Sequence, residues 1–194
     1  MAASAELQFR PAGPADAAAI AALHADSWQR HYRGALSDAF LDGEVTTFLL
    51  DKWTTRFAAP DPRARTVLAE LADGGGGGVK LVGLAHTVLD DDPAWGALLD
   101  NLHVSYGRKR GGVGTRLLSL TAQAVLADRP GSGLYLWVLE QNAGGRAFYD
   151  ARGGTCVESR PVMAPGGDQS RLNGKPNGLR YAWPDPAKLL IAQP

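Results

Sequence analysis

The fold is decided by residues 102–118, which read LHVSYGRKRGGVGTRLL. An apolar stretch typical of a strand leads into a basic, glycine-rich turn, and that turn leads into a helical pattern. The first amides of a helix lack partners within the helix and carry the positive end of its dipole. Because glycine lets a ligand approach the backbone, this segment predicts an anion site beside Arg108, Lys109 and Arg110.

Two common nucleotide-binding patterns do not fit this segment. A Walker loop ends in Gly-Lys-Ser/Thr, but here Gly112 is followed by Val113. A dinucleotide-binding fingerprint needs a third glycine where this chain has Leu117. Two interpretations remain, a pyrophosphate held by backbone amides without a metal, or a glycine-rich helix start with solvated charges.

A second informative segment covers residues 136–149, LWVLEQNAGGRAFY. The pattern predicts a buried strand followed by a short helix, with Asn142, Arg146 and Tyr149 on one helical face and Phe148 directed toward the core. Each of the two adjacent glycines weakens a helix by about 1 kcal/mol relative to alanine. Their presence indicates that another group comes close to this backbone.

Composition excludes several classes of function. The chain has 194 residues, 45% hydrophobic and 21% charged, with 20 basic and 20 acidic side chains and a formal net charge of zero. We therefore expect neither a nucleic-acid partner nor a membrane partner. The single cysteine, Cys156, allows no intrachain disulfide and no cysteine-rich metal site, so we expect no metal. The first ten residues lack a signal-peptide pattern, which favours a cytoplasmic location.

The periodicity of the chain predicts a mixed sheet packed against helices, an α/β or α+β architecture. A flexible hairpin loop is predicted at glycines 74–78, a turn at 90–93 and a loop at 164–177. A short helical turn is expected after Ser37. The predicted strands cover 7–10, 66–71, 79–89, 98–105, 134–139, 155–159 and 178–183, and the predicted helices cover 14–32, 44–58, 113–127 and 143–151.

Together, the two segments resemble motifs of the GNAT N-acetyltransferase superfamily. Residues 98–127 are similar to its motif A, a strand ending in Val followed by a basic position and Gly-x-Gly, and residues 134–157 are similar to its motif B, a strand, an Asn and a short helix with Phe-Tyr. The resemblance implies one N-acetyltransferase domain over residues 1–194. Its sheet would be mixed, strongly twisted and splayed into a V-shaped cleft that holds acetyl-CoA.

The resemblance also implies roles for residues of both motifs. The pyrophosphate would lie on the amides of residues 109–115, the pantetheine arm would run beside residues 102–104, Asn142 would meet it or order the helix, and Tyr149 would protonate the leaving thiolate. Tyr106 stands where the superfamily usually has Pro, and Lys109 stands where it has Arg or Gln, so any of three basic side chains is a candidate for the phosphate contact. The predicted donor-binding residues are Leu102, His103, Val104, Arg108, Lys109, Arg110, Gly111, Gly112, Val113, Gly114, Thr115, Asn142, Arg146 and Tyr149.

Direct acyl transfer requires a neutral amine. An amine of pKa about 10.4 is neutral in only about one molecule in 2,500 at pH 7, so a general base is useful. Asp100, Glu140 and His86 are the candidates, whereas His103 has the opposite strand parity to Asp100. The predicted acceptor-binding residues are Trp28, Tyr32, His86 and Tyr181, with Phe40 and Trp183 as further wall residues.

The favoured function is transfer of an acetyl group from acetyl-CoA to a primary amine by direct attack in a ternary complex. Candidate acceptors are a small amine or amino acid, an antibiotic, or a protein α-amino group. One alternative is a non-catalytic, regulatory module that binds acyl-CoA, and another is transfer of a different acyl group such as succinyl. Homodimers are common in the superfamily, and the sequence carries no interface signature.

Overall fold

The computed structural model describes residues 6–72 and 78–191. These residues form seven strands and four α-helices in an order that agrees with the sequence pattern. The strands are β1 (Leu7–Pro11), β2 (Ala64–Ala72), β3 (Val79–Asp92), β4 (Gly96–Val104), β5 (Leu134–Leu139), β6 (Thr155–Pro161) and β7 (Asn177–Trp183), and the helices are α1 (Ala17–His31), α2 (Val45–Ala58), α3 (Val113–Asp128) and α4 (Ala143–Ala151).

The strands form one mixed sheet in the order β1-β2-β3-β4-β5-β7-β6. All neighbours pair antiparallel except β4 and β5, which pair parallel only at Ala97–Leu134 and Leu98–Tyr135. Beyond these two pairs the strands diverge, so the facing edges of β4 and β5 no longer hydrogen-bond to each other. The predicted mixed, splayed sheet is therefore confirmed.

Helices cover both faces of the sheet because each presents an apolar stripe. On one face, α1 and α2 bury Ile20 and Trp53 against Leu84 of β3. On the other face, α3 buries Leu117 in a cluster that includes Leu134 of β5. Strand β5 is buried along nearly its whole length, as its uninterrupted apolar sequence predicted.

One predicted turn lies elsewhere in the structure. Strand β3 runs three residues past the predicted end, with Asp90 in the left-handed region at φ 53°, so the turn lies at residues 93–95 and the predicted turn at 90–93 is wrong. The hydroxyl of Ser37 accepts a hydrogen bond from the Phe40 amide at 3.4 Å, which confirms the predicted cap. The turn that follows is π-helical, Phe40–Glu44, and continues into α2. The predicted loop at glycines 74–78 lies outside the described residues except for Gly78.

A β-bulge in β4 changes the predicted facing of its side chains. His86 pairs with Asn101 and the next residue of β3 pairs with Leu99, so Asp100 is the extra residue. As a result, Leu99 and Leu102 both contact the core cluster under α3. Asp100 and His103 both contact the α1/α2 layer, where their partners are side chains of α2 and α1 respectively. The prediction of opposite facing for these two residues is therefore wrong.

Within the described ranges, no helix combines the length and the hydropathy that a membrane crossing needs.

Candidate active site

A cavity of about 710 Å³ opens where β4 and β5 diverge. Its volume lies within the range of small-molecule sites, roughly 300–1,000 Å³. Motif A and motif B form two of its walls, and α1 contributes a third. Predicted site residues that line it are Tyr32, Asp100, Leu102, His103, Val104, Arg108, Lys109, Arg110, Gly112, Gly114, Thr115, Asn142 and Tyr149.

The glycine loop provides a helix start with free amides. Gly112 is the N-cap of α3 and has φ +79°, a left-handed conformation that glycine adopts without a steric penalty. No side chain in the described part of the chain caps the first turn of α3. The N–H groups of that turn therefore have no side-chain partner, and three cationic side chains line the cavity beside them. This arrangement suits a bound anion.

Gly114 keeps the cavity open between the two motifs. A Cβ atom at this position would lie 3.5 Å from the Phe148 ring of α4 and 3.6 Å from Val104 of β4. Phe148 packs against the core, as predicted, and it also lines the cavity. The absence of a side chain at residue 114 leaves space for a ligand rather than for packing.

The three α4 residues that were predicted to share one helical face do not all line the cavity. Asn142 caps the helix, accepting a hydrogen bond at Oδ1 from the Gly145 amide at 3.0 Å. A Cβ at Gly145 would lie 2.8 Å from the Asn142 amide nitrogen, so this glycine accommodates the cap. Arg146 does not line the cavity but turns back to donate to the Glu140 carbonyl at 3.0 Å. Asn142 and Tyr149 are brought together at the cavity, and Arg146 is not.

Tyr149 is buried at the cavity wall. Its ring packs near the rings of Tyr181 and Trp183, with centroid distances of 5.9 and 6.1 Å. Its hydroxyl has no hydrogen-bond partner among the described side chains and backbone groups. Burial raises the pKa of this phenol, so the hydroxyl remains protonated at neutral pH.

Histidines form the wall on the α1 side. His103 Nδ1 lies 2.9 Å from the Ser27 hydroxyl, and both residues line the cavity. The ring of His103 packs on His24, with centroids 4.2 Å apart, and His24 Nδ1 accepts a hydrogen bond from Trp53 Nε1 at 3.1 Å. Burial lowers the pKa of His103 to about 4, so its imidazole is neutral at pH 7.

Asp100 is the one carboxylate among the described residues that lines this cavity. Its Oδ2 accepts hydrogen bonds from Arg56 at 2.9 Å and from the Asn101 side chain at 2.6 Å. Burial opposes ionisation of Asp100, but the charges of Lys52 and Arg56 outweigh it and lower the pKa of the carboxyl group. Asp100 is thus a stable anion at the cavity wall.

Several predicted residues lie away from the cavity. The Glu140 carboxylate accepts from Asn177 at 3.1 Å, and His86 is buried with Nδ1 2.7 Å from the Thr66 hydroxyl. Trp28 stacks on Tyr32 at 5.1 Å, and Tyr181 is a buried core residue. Nine residues predicted to bind the donor, to act as the base or to form the acceptor site do not line the cavity: Trp28, Phe40, His86, Gly111, Val113, Glu140, Arg146, Tyr181 and Trp183.

Several residues that line the cavity were not predicted from the sequence, among them Ser27, His31, Asn101 and Arg152. A signal existed for two of them. Ser27 and His31 are polar side chains on the otherwise apolar face of α1, at the i, i+4 spacing that places them together. Arg152 follows the last turn of α4, and no sequence pattern marks it. No group of metal ligands occurs in the part of the chain that the structure describes.

No family model matches the chain. A curated relative, a probable N-acetyltransferase of Mycobacterium tuberculosis, is 25% identical over 146 residues, which is 75% of this chain and 78% of that protein. The fold is similar to that of the PaiA N-acetyltransferase from Thermoplasma acidophilum in complex with coenzyme A, with a TM-score of 0.67, 16% identity and coverage of 92% of this chain and 99% of that one.

Two further solved structures share the fold. NAA60 of Arabidopsis thaliana in complex with acetyl-CoA matches with a TM-score of 0.64, 15% identity and coverage of 92% and 98% of the two chains. Nourseothricin acetyltransferase matches with a TM-score of 0.60, 21% identity and the same coverage. The chain therefore has the fold of these solved acetyltransferases, and the predicted fold is confirmed. The names of the curated relative and of the solved structures agree with the predicted resemblance to the GNAT N-acetyltransferases.

Proposed function

We propose that this protein, acting as one domain, transfers an acetyl group from acetyl-CoA to a primary amine. The observation that carries the proposal is the opening between β4 and β5, which joins the uncapped start of α3 to the buried hydroxyl of Tyr149. One end of this opening suits a pyrophosphate, and its wall carries a proton donor. The exposed, lone Cys156 supports a reducing, cytoplasmic location.

The donor would be held mainly by backbone groups. The amides at the start of α3 bind the pyrophosphate, with Arg108, Lys109 and Arg110 as neutralising charges. The edge of β4 that faces β5 pairs with it only at Ala97 and Leu98. Residues 102–104 therefore offer strand-like hydrogen bonds to the amides of the pantetheine arm, and Asn142 keeps α4 in place opposite them.

When bound, acetyl-CoA supplies a thioester whose carbonyl carbon accepts the amine. Tyr149 then donates a hydrogen bond to the sulfur as it leaves, because its hydroxyl is protonated and has no competing partner among the described residues. A thiol has a pKa near 8.5, so a phenol in contact with the sulfur stabilises the departing thiolate. Backbone N–H groups near the bulge at Asp100 would donate hydrogen bonds to the developing oxyanion.

The acceptor would approach from the α1/α2 side. Of the predicted bases, Asp100 reaches the cavity, whereas Glu140 and His86 do not line it. The carboxylate is ion-paired and has a lowered pKa, which suits it to binding the acceptor as an ammonium group. Solvent water takes a proton from this ammonium group before the neutral amine attacks, and it takes the second nitrogen proton as the amide forms. Its Oδ1 has no hydrogen-bond donor among the described residues and can accept one from the amine. Ser27 and neutral His103 complete this wall.

Thermal unfolding with acetyl-CoA, CoA and ATP tests the donor site. A ligand at about 100 times its Kd adds about 2.7 kcal/mol of stability. For a domain of this size, the melting temperature rises by roughly 5–10 °C. A rise with acetyl-CoA and CoA but not with ATP supports the proposal and is followed by an amine screen. No rise at millimolar acetyl-CoA contradicts it, and binding without turnover on any amine indicates a regulatory acyl-CoA-binding module.

A further inference from the structure

A second, smaller cavity of about 280 Å³ lies beside the first one. It is bounded by the start of α3, the C-terminal end of α4 and the segment that follows β7. Its floor is apolar, formed in part by the buried side chains of Leu118 and Leu189. Its polar rim carries Thr115, Arg152 and Lys188.

The two cavities share part of their lining. Thr115 and Arg152 line both of them. Thr115 belongs to the first turn of α3, the turn whose amides have no side-chain cap. A ligand with one anionic group on these amides therefore has a second cavity next to that group.

The segments that carry the two cations are held in place by hydrogen bonds. Trp183 Nε1 donates to the Arg152 carbonyl at 2.9 Å. The amide of Ile191 donates to the Ser119 hydroxyl on α3 at 3.2 Å, which fixes the turn bearing Lys188 against the helix. The cavity wall is thus part of the packed fold.

Positive charge in this cavity is unbalanced. Neither Arg152 nor Lys188 makes an ion pair with a carboxylate in residues 6–72 and 78–191. Among the residues that the structure describes, no acidic side chain lines the cavity. Two cations beside an apolar floor, with no carboxylate between them, favour a compact dianion such as a phosphate monoester.

We propose that Arg152 and Lys188 bind the 3′-phosphate on the ribose of the CoA donor. This inference rests on the proposed function. The donor carries a pyrophosphate and, on the adjoining ribose, a separate phosphate monoester. With the pyrophosphate on the α3 amides, the monoester lies one sugar away, at the rim that Thr115 shares between the two cavities. The site selects donors that carry this phosphate over donors that lack it.

Isothermal titration of the full chain with CoA and with dephospho-CoA, which lacks the 3′-phosphate, tests the inference. The variants are Lys188→Gln, Arg152→Gln and the matched control Lys80→Gln, which removes an exposed charge from β3. All titrations are made at one ionic strength because charge effects are screened by salt. Inorganic phosphate is added in a separate competition arm.

We expect the wild type to bind CoA about tenfold or more tightly than dephospho-CoA, since charge-assisted hydrogen bonds are lost with the phosphate. Lys188→Gln and Arg152→Gln should each weaken CoA binding, Lys188→Gln should leave dephospho-CoA binding within about twofold, and Lys80→Gln should change neither. Inorganic phosphate should weaken binding of CoA more than that of dephospho-CoA.

Three results would overturn the inference. Equal affinity of the wild type for CoA and dephospho-CoA would show that no side chain of the protein binds the 3′-phosphate. Equal losses in Lys188→Gln and Lys80→Gln would show only a long-range charge effect. Failure of both ligands to bind would refute the proposed function itself and this inference with it, whereas equally tight binding of both refutes the inference alone.

Discussion

Arg56 of α2 donates a hydrogen bond from Nη2 to Oδ2 of Asp100 on β4 at 2.9 Å, joining residues that lie 44 positions apart in the chain. The bulge in β4 turns Asp100 toward α2, and Lys52 adds a second positive charge nearby. Asp100 is therefore needed to balance two cations that the fold brings close to the acceptor wall.

We predict that Asp100→Asn lowers the free energy of unfolding by about 1–3 kcal/mol at pH 7, because it leaves Arg56 and Lys52 without a counter-charge. The side chains of the pair are 24% and 29% exposed, so the loss should lie between that of a surface pair and that of a buried pair. Urea unfolding of the variant and the wild type measures it.

Asp61→Asn is the matched control for this substitution. It breaks the pair of Asp61 with Arg63, whose side chains are 37% and 48% exposed, and should change the free energy of unfolding far less than Asp100→Asn does. Equal losses in the two variants would contradict the structural role that we assign to Asp100.

Stability should fall steeply as the pH drops below 6. Burial lowers the pKa of His86 and His103 to about 4 and that of His24 well below its ordinary value. The unfolded chain, with histidine pKa values near 6.5, binds protons that the folded chain does not, so stability is present at neutral pH and is lost as the pH falls below 6.5. His86 and His103 should each contribute roughly 1 kcal/mol per pH unit between about pH 6 and 5, and His24 should act in the same direction.

Urea unfolding at pH 7, 6 and 5 measures this loss, and NMR of the imidazole groups assigns it. At pH 5.5 the resonances of His24, His86 and His103 should still be those of neutral imidazole. If these three rings titrate near pH 6.5 in the folded protein, the prediction is wrong.

Tyr149→Phe should separate catalysis from binding. Loss of the hydroxyl removes the proton donor to the leaving thiolate, and kcat should fall by at least about 100-fold. CoA affinity should stay within about twofold, since the hydroxyl acts mainly as the thiolate forms. Stability should change little, because the hydroxyl has no partner among the described residues.

Steady-state kinetics and CoA titration of the same preparation provide both readings. Tyr135→Phe is the control, since Tyr135 hydrogen-bonds to Asp91 away from the cavity and its loss should not change kcat. An active Tyr149→Phe variant would indicate another proton donor, and an inactive one that also fails to bind CoA would indicate damage to the site.

Two glycines of the loop should respond differently to alanine. Gly112→Ala places a side chain at φ +79° and should cost about 1–2 kcal/mol of stability. Gly114→Ala should fold as well as the wild type, because its Cβ meets Phe148 and Val104 at ordinary contact distances of 3.5 and 3.6 Å. It should nevertheless weaken CoA binding several-fold, since the methyl group occupies cavity space.

Gly107→Ala is the matched control for these two substitutions. A Cβ at residue 107 meets nothing within 4 Å, and the residue does not line the cavity. Thermal unfolding and CoA titration give the two readings for each variant. Unchanged CoA affinity in Gly114→Ala would show that the ligand does not use this opening.

Local patterns in the sequence predicted most elements and the two motifs. The bounds of β5 and α4 agree with the prediction, because an apolar run and an Asn cap are local signals. The bulge at Asp100 was not predicted, since a bulge is defined by the register of two strands, and the parity assigned to His103 was wrong for the same reason.

Side-chain placement at the site depended on partners far along the chain. The pairing of Asp100 with Arg56 and the contact of His103 with Ser27, 76 positions away, require the α1/α2 layer to be in place. Helical spacing placed Arg146 beside Asn142, but a backbone carbonyl of the preceding loop binds its guanidinium instead. Spacing alone does not distinguish these outcomes.

The sheet consists of two halves that meet where β4 and β5 pair. Only Ala97–Leu134 and Leu98–Tyr135 pair across it, so side-chain packing in the cluster under α3 holds the two sheet halves together. The first half carries the glycine loop and Asp100, and the second carries Asn142 and Tyr149. A chain cut in the loop between α3 and β5 therefore yields two fragments, each with half of the site, and reassociation of the fragments through that cluster is what would restore the cavity.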